Sequence, residues 1–154
     1  MIKKIAWAKP SIGIDEKKAV EKVFDSGWFT QGPITETLEK KIAQMIGCKH
    51  AIVTNNGTSS LICSLLSHNI GSGDEVIVPS YTFVSSINAF VLHGAKPIFI
   101  DIRSDTLNMD ETLLEDLITN KTKAVLPVHM LGVSANMKEI LKIAKEHGIP
   151  VVED

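Results

Sequence analysis

Five short apolar runs punctuate the chain: 51–54 (AIVT), 75–79 (EVIVP), 96–102 (KPIFIDI), 123–129 (KAVLPVH) and 150–154 (PVVED). They are rich in Val and Ile and largely continuous rather than alternating. That pattern predicts strands covered on both faces, as in a parallel sheet. Between and before them the spacing turns helical. Asp15 is placed to cap a helix that buries Ala19, Val23 and Phe24. Thr35 precedes a helix with Leu38, Ile42, Met45 and Ile46 on one face. Asp110 caps a short helix carrying Leu113, Leu114 and Leu117. Ser134 caps the clearest one, in which Met137, Ile140, Leu141 and Ala144 share a face and Gly148 supplies the stop. Two more helices open after the first and second runs, the second of them ending at Gly94.

Strand–helix–strand alternation with such short crossovers predicts right-handed βαβ units. The expected fold is α/β, three layers deep, around a mostly parallel sheet. Residues 1–48 carry two helices and no strong strand, and read as an arm and leading helices ahead of a sheet domain at 49–154. No internal repeat and no low-complexity segment occurs.

Composition narrows the function classes. The chain has 154 residues, 44% of them apolar and 22% charged, with a net charge of -2. That balance gives no electrostatic case for nucleic acid or an anionic membrane. No apolar run reaches the roughly 18 residues a membrane span needs. The apolar stretch of MIKKIAWAKPSIG is too short and broken for a signal peptide, so a cytoplasmic location is expected. Cys48 and Cys63 lack CxxC spacing and are expected to be reduced packing residues. The five histidines show neither HxxxH nor HExxH spacing, and no metal site is expected.

In a parallel α/β sheet, ligands bind at the carboxyl ends of the strands. The residues that follow each run are therefore the candidates. NNGTSS (55–60) runs from a strand into a helix. There Gly57 admits a ligand to the backbone, and the N–H groups of Thr58, Ser59 and Ser60 form an anion or phosphate cradle; the same residues also suit an ordinary turn and N-cap. Neither GxxxxGK[ST] nor GxGxxG is present at this turn. Phe83 follows the second run and either stacks on a flat ring or belongs to the core. Asp101 ends the third run as a cap, turn or site residue. His129 ends the fourth, as a ligand group or a satisfied histidine. Asp154 places a carboxylate at the end of a buried strand, where a positive partner is needed. A phosphate cradle, a stacking aromatic and a lone carboxylate together suit a flat, phosphorylated, cationic heterocycle such as pyridoxal phosphate (PLP).

The stretches SGWFTQGPITETLEKKIAQMIGCKHAIVTNNGTSSL, GDEVIVPSYTFVSSINAFVLHGAKPIFIDI, DTLNMD, AVLPVHMLGVSANM and HGIPVVED resemble the sugar aminotransferases of the DegT/StrS type. The resemblance runs from AKPSIG to the last residue, with several motifs in order. It implies the type I fold of PLP enzymes, here part of the large domain. The implied activity is transfer of an amino group, usually from glutamate, to a keto sugar attached to a nucleotide, in amino-sugar or polysaccharide biosynthesis. By position it implies that Gly57, Thr58 and Ser59 cradle the cofactor phosphate, that Phe83 stacks on the ring and that Asp154 pairs with the ring nitrogen. It places His129 beside the cofactor and the 27–33 loop, with Trp28, Thr30 and Gln31, beside the substrate. It also implies a homodimer.

The resemblance further implies a lysine that holds the cofactor as a Schiff base. Lys49, Lys96 and Lys123 precede strands, Lys121 lies in a loop before one, and Lys138, Lys142 and Lys145 lie on a crossover helix. The others fall within the first 41 residues, and none follows a strand. The expectation is an N-terminal fragment of a longer enzyme, inactive by itself. The alternatives are a lysine-free module that binds PLP or a sugar nucleotide without turnover, a sugar dehydratase on the same scaffold, and a purely structural α/β domain.

Overall fold

The computed structural model describes residues 9–154, so the start of the apolar stretch at the N-terminus lies outside the described residues. The chain divides into two compact units, one ending at Val53 and one spanning Thr54–Asp154.

The first unit is two helices. α1 (Ile14–Ser26) is capped by Gly13 rather than Asp15, with the Gly13 N–H bonded to Glu16 Oε2, and Asp15 sits in the first turn. α2 (Pro33–Ile46) starts two residues before Thr35, because Pro33 has the fixed φ that suits a first helical position. Left-handed glycines, Gly27 and Gly47, end both helices. No residue of either helix is fully buried. Ala19, Phe24, Leu38, Met45 and Ile46 are exposed, contrary to the expected apolar faces, and only Val23 and Ile42 of those faces are half-buried.

The second unit is the α/β body. α3 (Gly57–Ser67) leads into β1 (Glu75–Pro79), α4 (Val84–Val91), β2 (Lys96–Ile100), a 3₁₀ turn at Glu111–Leu113 continuing into α5 (Leu114–Leu117), β3 (Thr122–Val125), a second 3₁₀ turn at Met130–Gly132, and α6 (Met137–Glu146). The sheet order is β2-β1-β3, all parallel, with β1 in the centre and Val76–Pro79 buried. Beyond β3 the 150–154 run adds only one formal bridge, Val125 to Val151. Its hydrogen bonds nonetheless continue to the rim: Val152 N–H to Val125 O, Asp154 N–H to Pro127 O, and His129 N–H to Asp154 O.

The period-two alternation of strands sorts the core into two layers. Val76, Val78, Ala124, Leu126 and Val152 pack with Leu61 and Leu65 of α3 and Ala89 and Phe90 of α4. Ile77, Ile100 and Val125 face the other way, onto Leu114 of α5 and Ile140 and Ile143 of α6.

Several expectations are corrected. Residues 51–54 form no strand: among the described residues none pairs with them, and the Val53 N–H is bonded to Glu39 Oε1 at 2.9 Å instead. β2 is an edge strand, paired to β1 alone among the described residues, and its Phe99 is exposed. Ser134 does not cap α6; its hydroxyl bonds the Ala135 carbonyl, and Asn136 takes the N-cap position. On α6 the buried set is Ile140, Ile143 and Ala144, while Leu141 faces solvent. Cys48 and Cys63 are free and exposed rather than packed. Asp110 does cap, accepting from the Thr112 N–H and hydroxyl. Among the described residues no helix is long and apolar enough to cross a membrane.

Candidate functional site

Parallel strands and short returns gather chemistry at one edge. α3 runs back to the start of β1 and α4 departs from its end, so both helices point their N-termini toward the carboxyl edge of the sheet. α3 has 11 residues and spans about 16 Å at 1.5 Å per residue, matching a five-residue strand of about 17 Å. Gly57, Phe83, His129 and Asp154 therefore all belong to the carboxyl edge of the Thr54–Asp154 unit.

At the α3 N-terminus, Asn56 Oδ1 accepts from the Ser59 N–H at 2.8 Å and Asn56 O accepts from the Ser60 N–H at 3.2 Å. The Ser60 hydroxyl is bonded to Thr54 Oγ1 at 2.6 Å. Two of the three N–H groups expected to be free are thus taken by the cap. Among the described residues the N–H groups of Gly57 and Thr58 and the hydroxyls of Thr58 and Ser59 have no hydrogen-bonding partner, and they converge at the positive end of the helix dipole. A Cβ added at Gly57 would project into open space with nothing within 4 Å. The backbone at residue 57 is therefore open to an approaching group.

The acidic pair at the end of the chain is split by strand alternation. Asp154 shares the face of Val152 and meets α4, where Ser86 Oγ donates to Asp154 Oδ2 at 2.5 Å. Ser86 is fully buried and its Oγ also lies 3.0 Å from Thr82 Oγ1. Glu153 faces the other way and accepts from His129 Nε2 at 2.9 Å. The Ala135 N–H donates to His129 Nδ1 at 3.1 Å, which leaves Nε2 as the protonated nitrogen of the neutral ring. Asp154 is exposed, not buried as expected, because it stands two residues past Val152, the last covered residue of the run.

Phe83 precedes α4 and is 76% exposed, which removes it from the core. Asp101 lies between β2 and the Ile102–Met109 bridge, neither a helix cap nor in a turn; its Oδ1 accepts from the Ile102 N–H and its carbonyl from the Asp110 N–H. Trp28, Thr30 and Gln31 belong to the first unit. There the Trp28 indole N–H donates to Gln31 O at 3.0 Å, and the ring lies so close over Gly32 that no Cβ fits. Trp28 and Thr30 line a hollow of about 430 Å³ with Val23, Phe29 and Pro33. Four buried polar residues escaped the sequence reading, Ser86, Asn108, Glu111 and Thr122. The signal for Ser86 was present: it shares the spacing of Ala89 and Phe90, and a serine on a buried face needs a partner.

A family model described as the DegT/DnrJ/EryC1/StrS aminotransferase family matches residues 10–154. Among solved structures, DesV of S. venezuelae, in complex with a ketimine intermediate, is 37% identical with a TM-score of 0.87, over 90% of this chain and 38% of that one. Spr1654 of Streptococcus pneumoniae, described as a sugar aminotransferase and solved in PMP and PLP forms, is 31% identical with a TM-score of 0.90, over 97% of this chain and 42% of that one. NtdA of Bacillus subtilis, with bound cofactor PMP, is 34% identical with a TM-score of 0.87, over 92% of this chain and 34% of that one. The chain thus spans well under half the length of each of these structures.

Proposed function

The chain belongs to the DegT/DnrJ/EryC1/StrS aminotransferase family and has its α/β, type I fold, and from that premise we propose that it forms the cofactor edge of a PLP-dependent aminotransferase. The Thr54–Asp154 unit is part of its cofactor-binding domain, and the two helices α1 and α2 precede that domain. The reaction we propose is amination of a keto sugar attached to a nucleotide, with glutamate as donor, in amino-sugar or polysaccharide biosynthesis. The complete enzyme is a cytoplasmic homodimer, and this chain is its N-terminal portion. The coverage of 34–42% of the similar structures supports that last reading, and the description of Spr1654 supports a sugar substrate.

When bound, PLP supplies the sink for the electron pair left as an amino acid loses its α-proton. The residues of this chain prepare that chemistry. The free N–H groups of Gly57 and Thr58 and the hydroxyls of Thr58 and Ser59 hold the phosphate dianion at a helix N-terminus. Phe83 covers one face of the ring and keeps water from it. Asp154 keeps a proton on the ring nitrogen, since a nearby carboxylate favours the charged form. His129 borders the same edge. In the first unit, Trp28, Thr30 and Gln31 are the proposed substrate contacts.

One observation carries the reading: a carboxylate held from behind by a buried serine, on the edge where an open glycine begins a helix. The test is calorimetric titration of the chain with pyridoxamine phosphate (PMP), which has no aldehyde to react with surface lysines. One site is expected, weakened at least about tenfold by Asp154→Asn, the scale of a lost hydrogen bond to a charged group. Gly57→Val should weaken binding without lowering stability. Absence of binding to the folded chain would refute the proposal.

A further inference from the structure

Asn108, in the DTLNMD stretch, is 2% exposed and makes two bonds to one loop. Its Oδ1 accepts from the Met130 N–H at 2.9 Å, and its Nδ2 donates to Val133 O at 3.0 Å. Between those anchors Leu131 and Gly132 take left-handed backbone conformations, with φ of 53° and 82°. A non-glycine residue in that region is strained and persists only where its surroundings hold it. The two Asn108 bonds hold the residues on either side of that pair.

The clamped loop continues to Ala135, whose N–H is bonded to His129 Nδ1. His129 in turn grips the last residues twice: its Nε2 meets Glu153 Oε2 at 2.9 Å, and its backbone N–H donates to Asp154 O at 2.9 Å. The backbone around Asp154 is thus tied to a side chain 46 positions earlier through a chain of directed bonds. We propose that Asn108 and His129 are positioning residues for Asp154. Asn108 fixes the loop, the loop fixes the His129 tautomer as Nε2–H, and His129 then holds Glu153 and the Asp154 backbone. His129 thus acts through Asp154 rather than on a ligand. The value of this arrangement to catalysis rests on the cofactor reading; the bonded chain itself does not.

The test is the tautomer. Long-range ¹H–¹⁵N spectra of the labelled chain, at about pH 8.5 and so above the ordinary histidine pKa of about 6.5, read which nitrogen of each histidine carries the proton. For the wild-type chain a single Nε2–H form is expected at His129. An Nδ1–H form, or a mixture, overturns the proposal without any mutant. In Asn108→Leu, His129 should become a mixture while the other four histidines stay unchanged, and PMP affinity should fall several-fold. A merely structural asparagine would lower the melting temperature and leave the tautomer alone, and that result also overturns the proposal. So does a changed tautomer with unchanged PMP affinity. If Asn108→Leu does not fold, Asn108→Ser carries the same comparison. Should the wild-type chain bind no PMP, the cofactor reading fails, and the tautomer comparison still decides the link from Asn108 to His129.

Discussion

Ser86 and Asp154, 68 positions apart in sequence, meet at 2.5 Å where the first turn of α4 reaches the last residue of the sheet edge. The serine occupies one oxygen of the carboxylate, and the other takes no hydrogen bond among the described residues. Ser86→Ala removes that donor while changing little volume. PMP affinity should fall about tenfold, in line with one hydrogen bond to a charged group. Calorimetric titration of the variant checks this; unchanged affinity would reduce Ser86 to a packing residue.

Phe83 separates packing from function in the same way. A side chain 76% exposed contributes little to the core, so Phe83→Ala should change stability by no more than about 0.5 kcal/mol. PMP affinity should drop severalfold with the loss of the ring platform. Denaturant unfolding and titration of one sample give both numbers, and the reverse pattern would return Phe83 to the core.

Asp110 makes a prediction about acid. The Thr112 hydroxyl and N–H hold its carboxyl below the usual carboxylate range. A carboxyl whose pKa is lower in the folded than in the unfolded chain stabilises the fold above the unfolded value, and that contribution is lost as pH falls through the folded one. Asp110→Ala should therefore cost about 1 kcal/mol near neutral pH, the typical value of an N-cap. Below the usual carboxylate range the difference between variant and wild type should vanish. Unfolding curves over the acid range test it; a difference independent of pH would assign the effect elsewhere.

The lysines of Thr54–Asp154 stand at or just before the amino ends of β2 and β3, or on α6, and none directly follows a strand end. The chain alone should therefore show no transamination with glutamate and PLP. Sustained turnover by the purified chain would contradict the assignment of roles.

The parts of this fold legible in the sequence are those set by local chemistry. β1 falls on 75–79 as its continuous apolar run demands, and Asp110 caps where an acidic residue precedes a leucine cluster. The carboxyl-edge rule places Phe83, His129 and Asp154 at or past the ends of the apolar runs at 75–79, 123–129 and 150–154; it places Gly57 there through a strand at 51–54 that does not form, and Gly57 reaches that edge as the first residue of α3. What failed depended on partners. Residues 51–54 have strand composition but no ladder to join. On α6 a rotation of the buried stripe exchanged Leu141 for Ile143, a choice that only the opposing sheet face makes. The Ser59 and Ser60 N–H groups were lost to Asn56, since a cap and an anion site compete for the same donors. Asn108 was illegible because its role lies wholly in two backbone groups more than twenty residues away.

The most direct test of the central claim reads the ring nitrogen itself. PMP labelled with ¹⁵N in the ring, bound to the chain, should show a protonated nitrogen at a pH where the free compound has lost that proton, and Asp154→Asn should abolish the difference. A ring nitrogen that titrates in the complex as it does in free solution would contradict the account.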